Sequence, residues 1–235
     1  MSATEELFRE DAALLECDAR IVAIGDTTIV LDRTVFYPQG GGQAGDRGEL
    51  IAADGHVLAI ADTRKGEAGQ VLHLPATPPA GWSVGQAVTA RIDAGRRHRH
   101  MRFHTTTHLL CALVPHPVNG CSITADYARL DFHMTEPLDK DTLNAGLARL
   151  VAEAHAVRHR WISEHELDAN PGLVRSMSVQ PPRGLGRVRV LEIDGVDLQP
   201  CGGTHVANTR DIGAVVVTKL EKKSAMTRRV VLGFA

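Results

Sequence analysis

The feature that most restricts the fold is a change of apolar period near Asp93. Ahead of it, apolar residues alternate in short runs broken by turn residues, the pattern of half-buried strands. Residues 16–24 alternate, Gly25-Asp26 makes a tight turn, and 27–31 resume as a strand. Residues 46–52 and 56–63 flank Asp54-Gly55, a hairpin signal, and 70–74 and 86–92 add two strands around the proline-rich stretch 75–81. Strands at this spacing predict a small barrel or a sandwich. Beyond Asp93, residues 97–114 contain neither glycine nor proline and predict a helix, ended by Pro115 and Pro117. A second helix is predicted over 139–158, with Leu143, Leu147, Leu150, Val151, Ala154 and Val157 as its apolar stripe. Strand candidates at 129–134, 160–165, 187–193, 213–220 and 228–234 surround the helices, and 170–186 is a loop with Pro171, Pro181 and Pro182. The fold class is therefore α+β, with a β domain over 1–94 and a mixed domain over 95–235.

Composition removes several functional classes. A formal net charge of −2 supplies no general field for a polyanion, so any nucleic acid must be held by local basic patches. No apolar run approaches the roughly 20 residues that cross a bilayer, and the acidic start of the chain lacks a secretory signal. A reducing cytoplasm is the expected setting, with Cys17, Cys111, Cys121 and Cys201 as thiols or metal ligands.

Two short segments carry ligand chemistry. His104 and His108 stand four apart on the first predicted helix, so both imidazoles share one face, one turn apart. Cys201-Gly202-Gly203-Thr204-His205 places a thiol and an imidazole four apart across two glycines, which allow a tight turn. Either pair alone reads more readily as core or surface histidines and a buried small thiol. Together, the imidazoles and thiol suit zinc above magnesium or calcium. Threonines fill the space between His104 and His108, so the His-Glu-x-x-His pattern of zinc proteases is absent and no carboxylate base is supplied there. That disfavours peptide hydrolysis and leaves an easier bond such as an ester. Cys111 lies three residues past His108 and reads as packing.

Phe36-Tyr37-Pro38-Gln39-Gly40-Gly41-Gly42-Gln43 fits neither a P-loop nor a dinucleotide fingerprint. It is either a wide turn or a loop that brings backbone N–H groups and the Gln43 amide to a ligand. The basic run from Arg96 to Arg102 leads into His104 and could grip phosphates, although a solvated face is the plainer reading. Lys219, Lys222, Lys223, Arg228 and Arg229 form a second basic cluster, and no aromatic RNA-stacking motif accompanies either.

Three segments, in this order, resemble the AlaX family, free-standing relatives of the editing domain of alanyl-tRNA synthetase. They are the stretch from Thr34 through the glycines to Asp46, the stretch from Met101 through His104 and His108 to Leu110, and Pro200-Cys201-Gly202-Gly203-Thr204-His205 followed by Asp211-Ile212-Gly213. The resemblance covers nearly the whole chain and implies a small N-terminal β-barrel followed by an editing domain like those of threonyl- and alanyl-tRNA synthetases. It implies one zinc ion on His104, His108, Cys201 and His205, with Thr107 and Gln43 in the amino-acid pocket. Gly40, Gly41, Gly42, Thr106 and Arg102 are the further candidates for substrate contact. The family usually has an acidic residue where Gln39 stands and alanine where Thr106 stands.

The activity implied is hydrolysis of tRNA(Ala) mischarged with serine or glycine, sparing alanine. No segment is expected to hold an ATP-binding synthetase core, so ligation, a nucleotide cofactor and a membrane partner are not expected. Three ligands with an open position would make the ion a catalytic acid, whereas four would make it an organiser of the pocket. The alternatives are a zinc-stabilised RNA-binding module without hydrolysis and a metallohydrolase of small esters or amides.

Overall fold

The computed structural model describes residues 3–177, 180–181, 183–184 and 186–235. Pro182, one of the three prolines of the predicted loop, lies outside them. The chain divides into two compact units, Met1–Gly40 with Ala44–His98, and Gly41–Gln43 with Arg99–Ala235.

The first unit contains β1 (Glu5–Glu6), β2 (Glu16–Ile24), β3 (Ile29–Leu31), β4 (Arg33–Thr34), β5 (Gly48–Ala52), β6 (Val57–Lys65), β7 (Val71–Pro75) and β8 (Ala87–Ile92). Six of these close a barrel in the order β2-β3-β7-β6-β5-β8, with Glu16 opposite Arg91 at the seam. The barrel is thus the outcome of the two that the strand spacing allowed. Alternation explains its core: Ile21, Leu31, Leu50, Leu58, Ile60, Val88 and Ala90 point inward and are buried. The Asp54-Gly55 hairpin forms as expected, with Gly55 at φ 85° and the Ala52 N–H donating to His56 O over 2.9 Å.

Helix α1 (Ala94–Leu113) starts in the residues of the first unit and continues into those of the second. It begins before the expected start at 97 because the Asp93 carboxylate accepts from Arg96 N–H at 2.9 Å, which caps the first turn. Arg97 is buried against Asp46 and donates to Val35 O at 2.6 Å and Ala12 O at 2.8 Å, all inside the first unit.

The second unit continues with β9 (Val118–Ile123), β10 (Ala128–His133), α2 (Lys140–Ala152), β11 (Val157–Ser163), α3 (Glu164–Ala169), β12 (Arg187–Ile193), β13 (Asp197–Pro200), β14 (Val215–Ser224) and β15 (Thr227–Phe234). The sheets run β14-β15-β10-β9 and β11-β12-β13. Leu143, Leu147 and Leu150 form the buried stripe of α2, and Asp139 caps it through Thr142 N–H at 2.7 Å. The expected helix over 139–158 is corrected: it ends at Ala152, Ala154 takes φ 58°, and Val157 opens a strand paired with Ile193. Val157 fitted the helical stripe by coincidence of spacing, and sheet pairing overrides that local pattern. Strands β9 and β13 escaped the sequence reading because Val118-Asn119-Gly120-Cys121 and Asp197-Leu198-Gln199-Pro200 carry little apolar alternation. No helix among the described residues is long and apolar enough to cross a membrane.

Candidate metal centre

Two segments of the second unit deliver the polar cluster. The i, i+4 spacing on α1 aligns His104 and His108, and the loop after β13 carries Cys201 and His205 back to them. One ligand atom from each of the four lies within 4.8 Å of the others. Cys201 Sγ is 3.2 Å from His205 Nε2 and 3.5 Å from His104 Nε2. Two ligands on one tetrahedral zinc ion lie about 3.4–3.6 Å apart. Spacing and donor chemistry are therefore compatible with zinc.

The loop can approach this closely because Gly203 lacks a side chain: a Cβ there would collide with the His104 ring. Behind it, the buried Arg189 guanidinium donates to Cys201 O at 2.9 Å and Gly203 O at 3.1 Å, which fixes the curve of the loop.

Each histidine is held from behind at Nδ1. His108 Nδ1 donates to Asp197 Oδ2 at 2.8 Å, and Gln199 also donates to that carboxylate. His104 Nδ1 lies 2.8 Å from Gln43 Oε1. His205 Nδ1 is 3.3 Å from Thr105 Oγ1, whose own proton is donated to Met101 O at 2.9 Å. Outer partners of this kind orient ligand imidazoles and leave the other nitrogen for the ion.

The electrostatics follow from burial and proximity. Burial opposes ionisation of Cys201, but the electrostatic influence of the adjoining His104 and His205 rings and hydrogen bonds from His104 and His108 hold its pKa well below the ordinary value. Burial pushes His205 down to about 3, so that ring is neutral. At His108 burial also disfavours charge, yet hydrogen bonds to Asp197 and Cys201 outweigh it and lift the pKa to about 10. A thiolate and a neutral imidazole are the ligand forms a metal needs, and His108 would have to give up a proton for a cation to take its Nε2.

The other sequence candidates fall in different places. Gln43 belongs with the cluster, fully buried, as part of the short stretch Gly41–Gln43 that pairs with Ile123. Gly41 and Gly42 take φ of 58° and 85°, and a Cβ on Gly42 would press on Cys121. Gly40 lies in the first unit, where its carbonyl accepts from Tyr37 Oη at 2.8 Å. Thr107, one residue before His108, donates to His104 O at 2.7 Å. Thr106 sits about 200° round the helix from His104, and its hydroxyl bonds back to Arg102 O at 2.8 Å. The Arg102 guanidinium lies 3.9 Å from the centre of the Phe234 ring and donates to Ile212 O at 2.5 Å. The basic run is similarly engaged elsewhere, with Arg96 on Gly45 O and Arg99 on Ala125 O. In the second basic cluster Arg229 pairs with Asp131 at 2.6 Å and Lys219 with Glu221. Asp197 and Thr105 were missed in the sequence reading. An aspartate four residues ahead of Cys201 was the available signal for the first, and nothing local marked the second.

A closed barrel and a separate α+β unit holding three histidines and a cysteine define the class of protein: one built like the editing modules associated with class II tRNA synthetases. The family model described as "Threonyl and Alanyl tRNA synthetase second additional domain" matches residues 188–231, and that of "tRNA synthetases class II (A)" matches residues 8–96. The alanyl-tRNA editing protein AlaX-M of Saccharolobus solfataricus is 33% identical over 238 residues, 97% of each chain. That of Methanosarcina barkeri is likewise 33% identical over 97% of each chain. The alanine–tRNA ligase of Pyrococcus furiosus is 32% identical over 97% of this chain but only 25% of its own length. The chain belongs to the AlaX-M family of alanyl-tRNA editing proteins.

Proposed function

We propose that this protein is a zinc-dependent trans-editing hydrolase of the cytoplasm that deacylates Ser-tRNA(Ala) and Gly-tRNA(Ala) and spares Ala-tRNA(Ala). The supporting observation is the convergence of His104, His108, Cys201 and His205, each imidazole tethered at Nδ1, in a member of this family. In this reading residues 1–94 are a barrel domain bearing most of the glycine-rich segment, and 95–235 are the editing domain. Zinc bound by the four residues would supply a positive centre that polarises an ester carbonyl or fixes the substrate amine.

Selectivity comes from the chain itself. Thr107 shares the helix face of His104 and gives its proton to His104 O, so its oxygen lone pairs remain as acceptors. A serine hydroxyl can donate to that oxygen, while the methyl of alanine would leave it unpaired, and glycine enters by size. Thr106 is turned back on Arg102 O, which leaves the contact to Thr107. The glycines at 41 and 42 let the backbone come near the cluster without side chains in the way.

The test is release of amino acid from Ser-, Gly- and Ala-tRNA(Ala), with the protein zinc-loaded or chelator-treated. Release of serine and glycine that disappears with chelator supports the reading. Binding of the tRNAs without any release would make the protein an RNA-binding module instead, and equal release from free aminoacyl esters would make it a general esterase.

A further inference from the structure

Gln43, a candidate for the amino-acid pocket, also makes a set of contacts within the metal-ligand cluster. The side chain is fully buried. Its oxygen receives Thr204 N–H at 3.2 Å, and its nitrogen donates to Thr204 Oγ1 at 2.9 Å. A backbone N–H is always a donor, so the group facing Thr204 N must be the amide oxygen. This fixes which way the amide points without appeal to His104. The same oxygen lies 2.8 Å from His104 Nδ1 and has no proton, so Nδ1 must donate. Nε2, on the Cys201 side of the ring, is then the nitrogen without a proton in the neutral imidazole.

We infer that Gln43 is a positioning residue: the glycine-rich segment inserts its amide to hold His104 in the Nδ1–H form and to tie that ring to the Cys201–His205 loop. The inference rests on reading His104 as a metal ligand. The supporting structure is local. Gly42 O accepts from Ile123 N–H at 2.8 Å and Gly42 has no room for a side chain against Cys121, so the stretch before Gln43 is set firmly against β9. On the other side Gly203 leaves space for the His104 ring beside the amide. The glycines at 42 and 203 thus let one amide reach both halves of the cluster. Asp197, from β13, and Thr105, from α1, perform the equivalent service for His108 and His205, while Gln43 comes from the glycine-rich segment.

The experiment compares wild type with Gln43→Met, which keeps the bulk and removes the acceptor, and Gln43→Glu, which keeps the acceptor. Nitrogen-15 spectra of the histidine rings in metal-free protein read the tautomer of His104, assigned by the signal lost in His104→Ala. Competition with a chromophoric chelator reads zinc affinity. Expected is a His104 Nδ1–H signature in wild type and Gln43→Glu that is lost in Gln43→Met. Zinc affinity should fall about 10–100-fold in Gln43→Met and stay within about threefold of wild type in Gln43→Glu. An unchanged tautomer and affinity in Gln43→Met would overturn the inference. So would a Gln43→Glu protein as weak as Gln43→Met, because the acceptor alone would then not matter. If wild type takes up no zinc, the metal reading falls, while the spectra still decide whether Gln43 sets the His104 tautomer.

Discussion

The barrel buries His73 and the second unit buries His104, His108 and His205, but the two sets are held differently. His73 is completely enclosed, with Nε2 2.8 Å from Thr34 Oγ1 and Nδ1 3.1 Å from Ile29 O. Both ring nitrogens are engaged with the fold, and burial lowers its pKa to about 4. In the second unit His104, His108 and His205 are each tethered at Nδ1, and Nε2 of His104 and His205 is turned to the Cys201 sulfur. A buried histidine satisfied at both nitrogens is structure. Three tethered at one nitrogen and converging on the Cys201 sulfur form a group that could hold a cation.

Removing what the second set faces should have the largest effect. Cys201→Ala is expected to abolish stable zinc binding and to lower Ser-tRNA(Ala) deacylation about 10³-fold, read by metal analysis and by release of labelled serine. Wild-type turnover in this variant would erase the distinction between the two sets.

The barrel histidine makes a different prediction, about stability and not activity. Its folded pKa lies below the unfolded value of 6.5, so the unfolded state binds the proton more readily. Stability from this group is intact above pH 6.5 and is lost as pH falls towards 4, by roughly 3 kcal/mol in full. Urea unfolding followed through Trp82, which lies in the barrel core, should show this loss, and His73→Gln should flatten it.

Two smaller effects sharpen the second set. Thr107→Val should slow serine release about 10–100-fold at unchanged zinc content, since one acceptor to the substrate hydroxyl is lost. Undiminished serine removal would move selectivity elsewhere. Thr105→Val removes the longest of the three tethers, 3.3 Å to His205, and should weaken zinc by only a few-fold, about 1 kcal/mol. A loss as large as that from Cys201→Ala would show that the tethers are unequal in the opposite sense.

Much of this was legible in the residues because its causes are local. Alternation marked β2, β5, β6, β7 and β8, and the spacing of His104 and His108 put both on one face of a helix the sequence reading placed to within a few residues. The pairing of His104 and His108 with Cys201 and His205 was accessible only as chemistry and resemblance, since nothing local measures a distance across about a hundred residues. Val157 shows the opposite failure, where a local period mimicked a helix that sheet pairing overruled. The roles of Asp197, Thr105 and Gln43 depend on which way an imidazole faces after the chain has closed, so they became visible only in the structure. In the basic run, for which a solvated face was the plainer reading and a phosphate grip the alternative, Arg96, Arg97, Arg99 and Arg102 contact backbone carbonyls and Asp46.

The most direct test of the account is X-ray absorption at the metal edge of the zinc-loaded protein. Expected are one sulfur scatterer near ~2.3 Å and nitrogen scatterers near ~2.0–2.1 Å with imidazole signatures, with no zinc retained in Cys201→Ala. A metal shell without sulfur, or a protein that retains no zinc after loading, would contradict it.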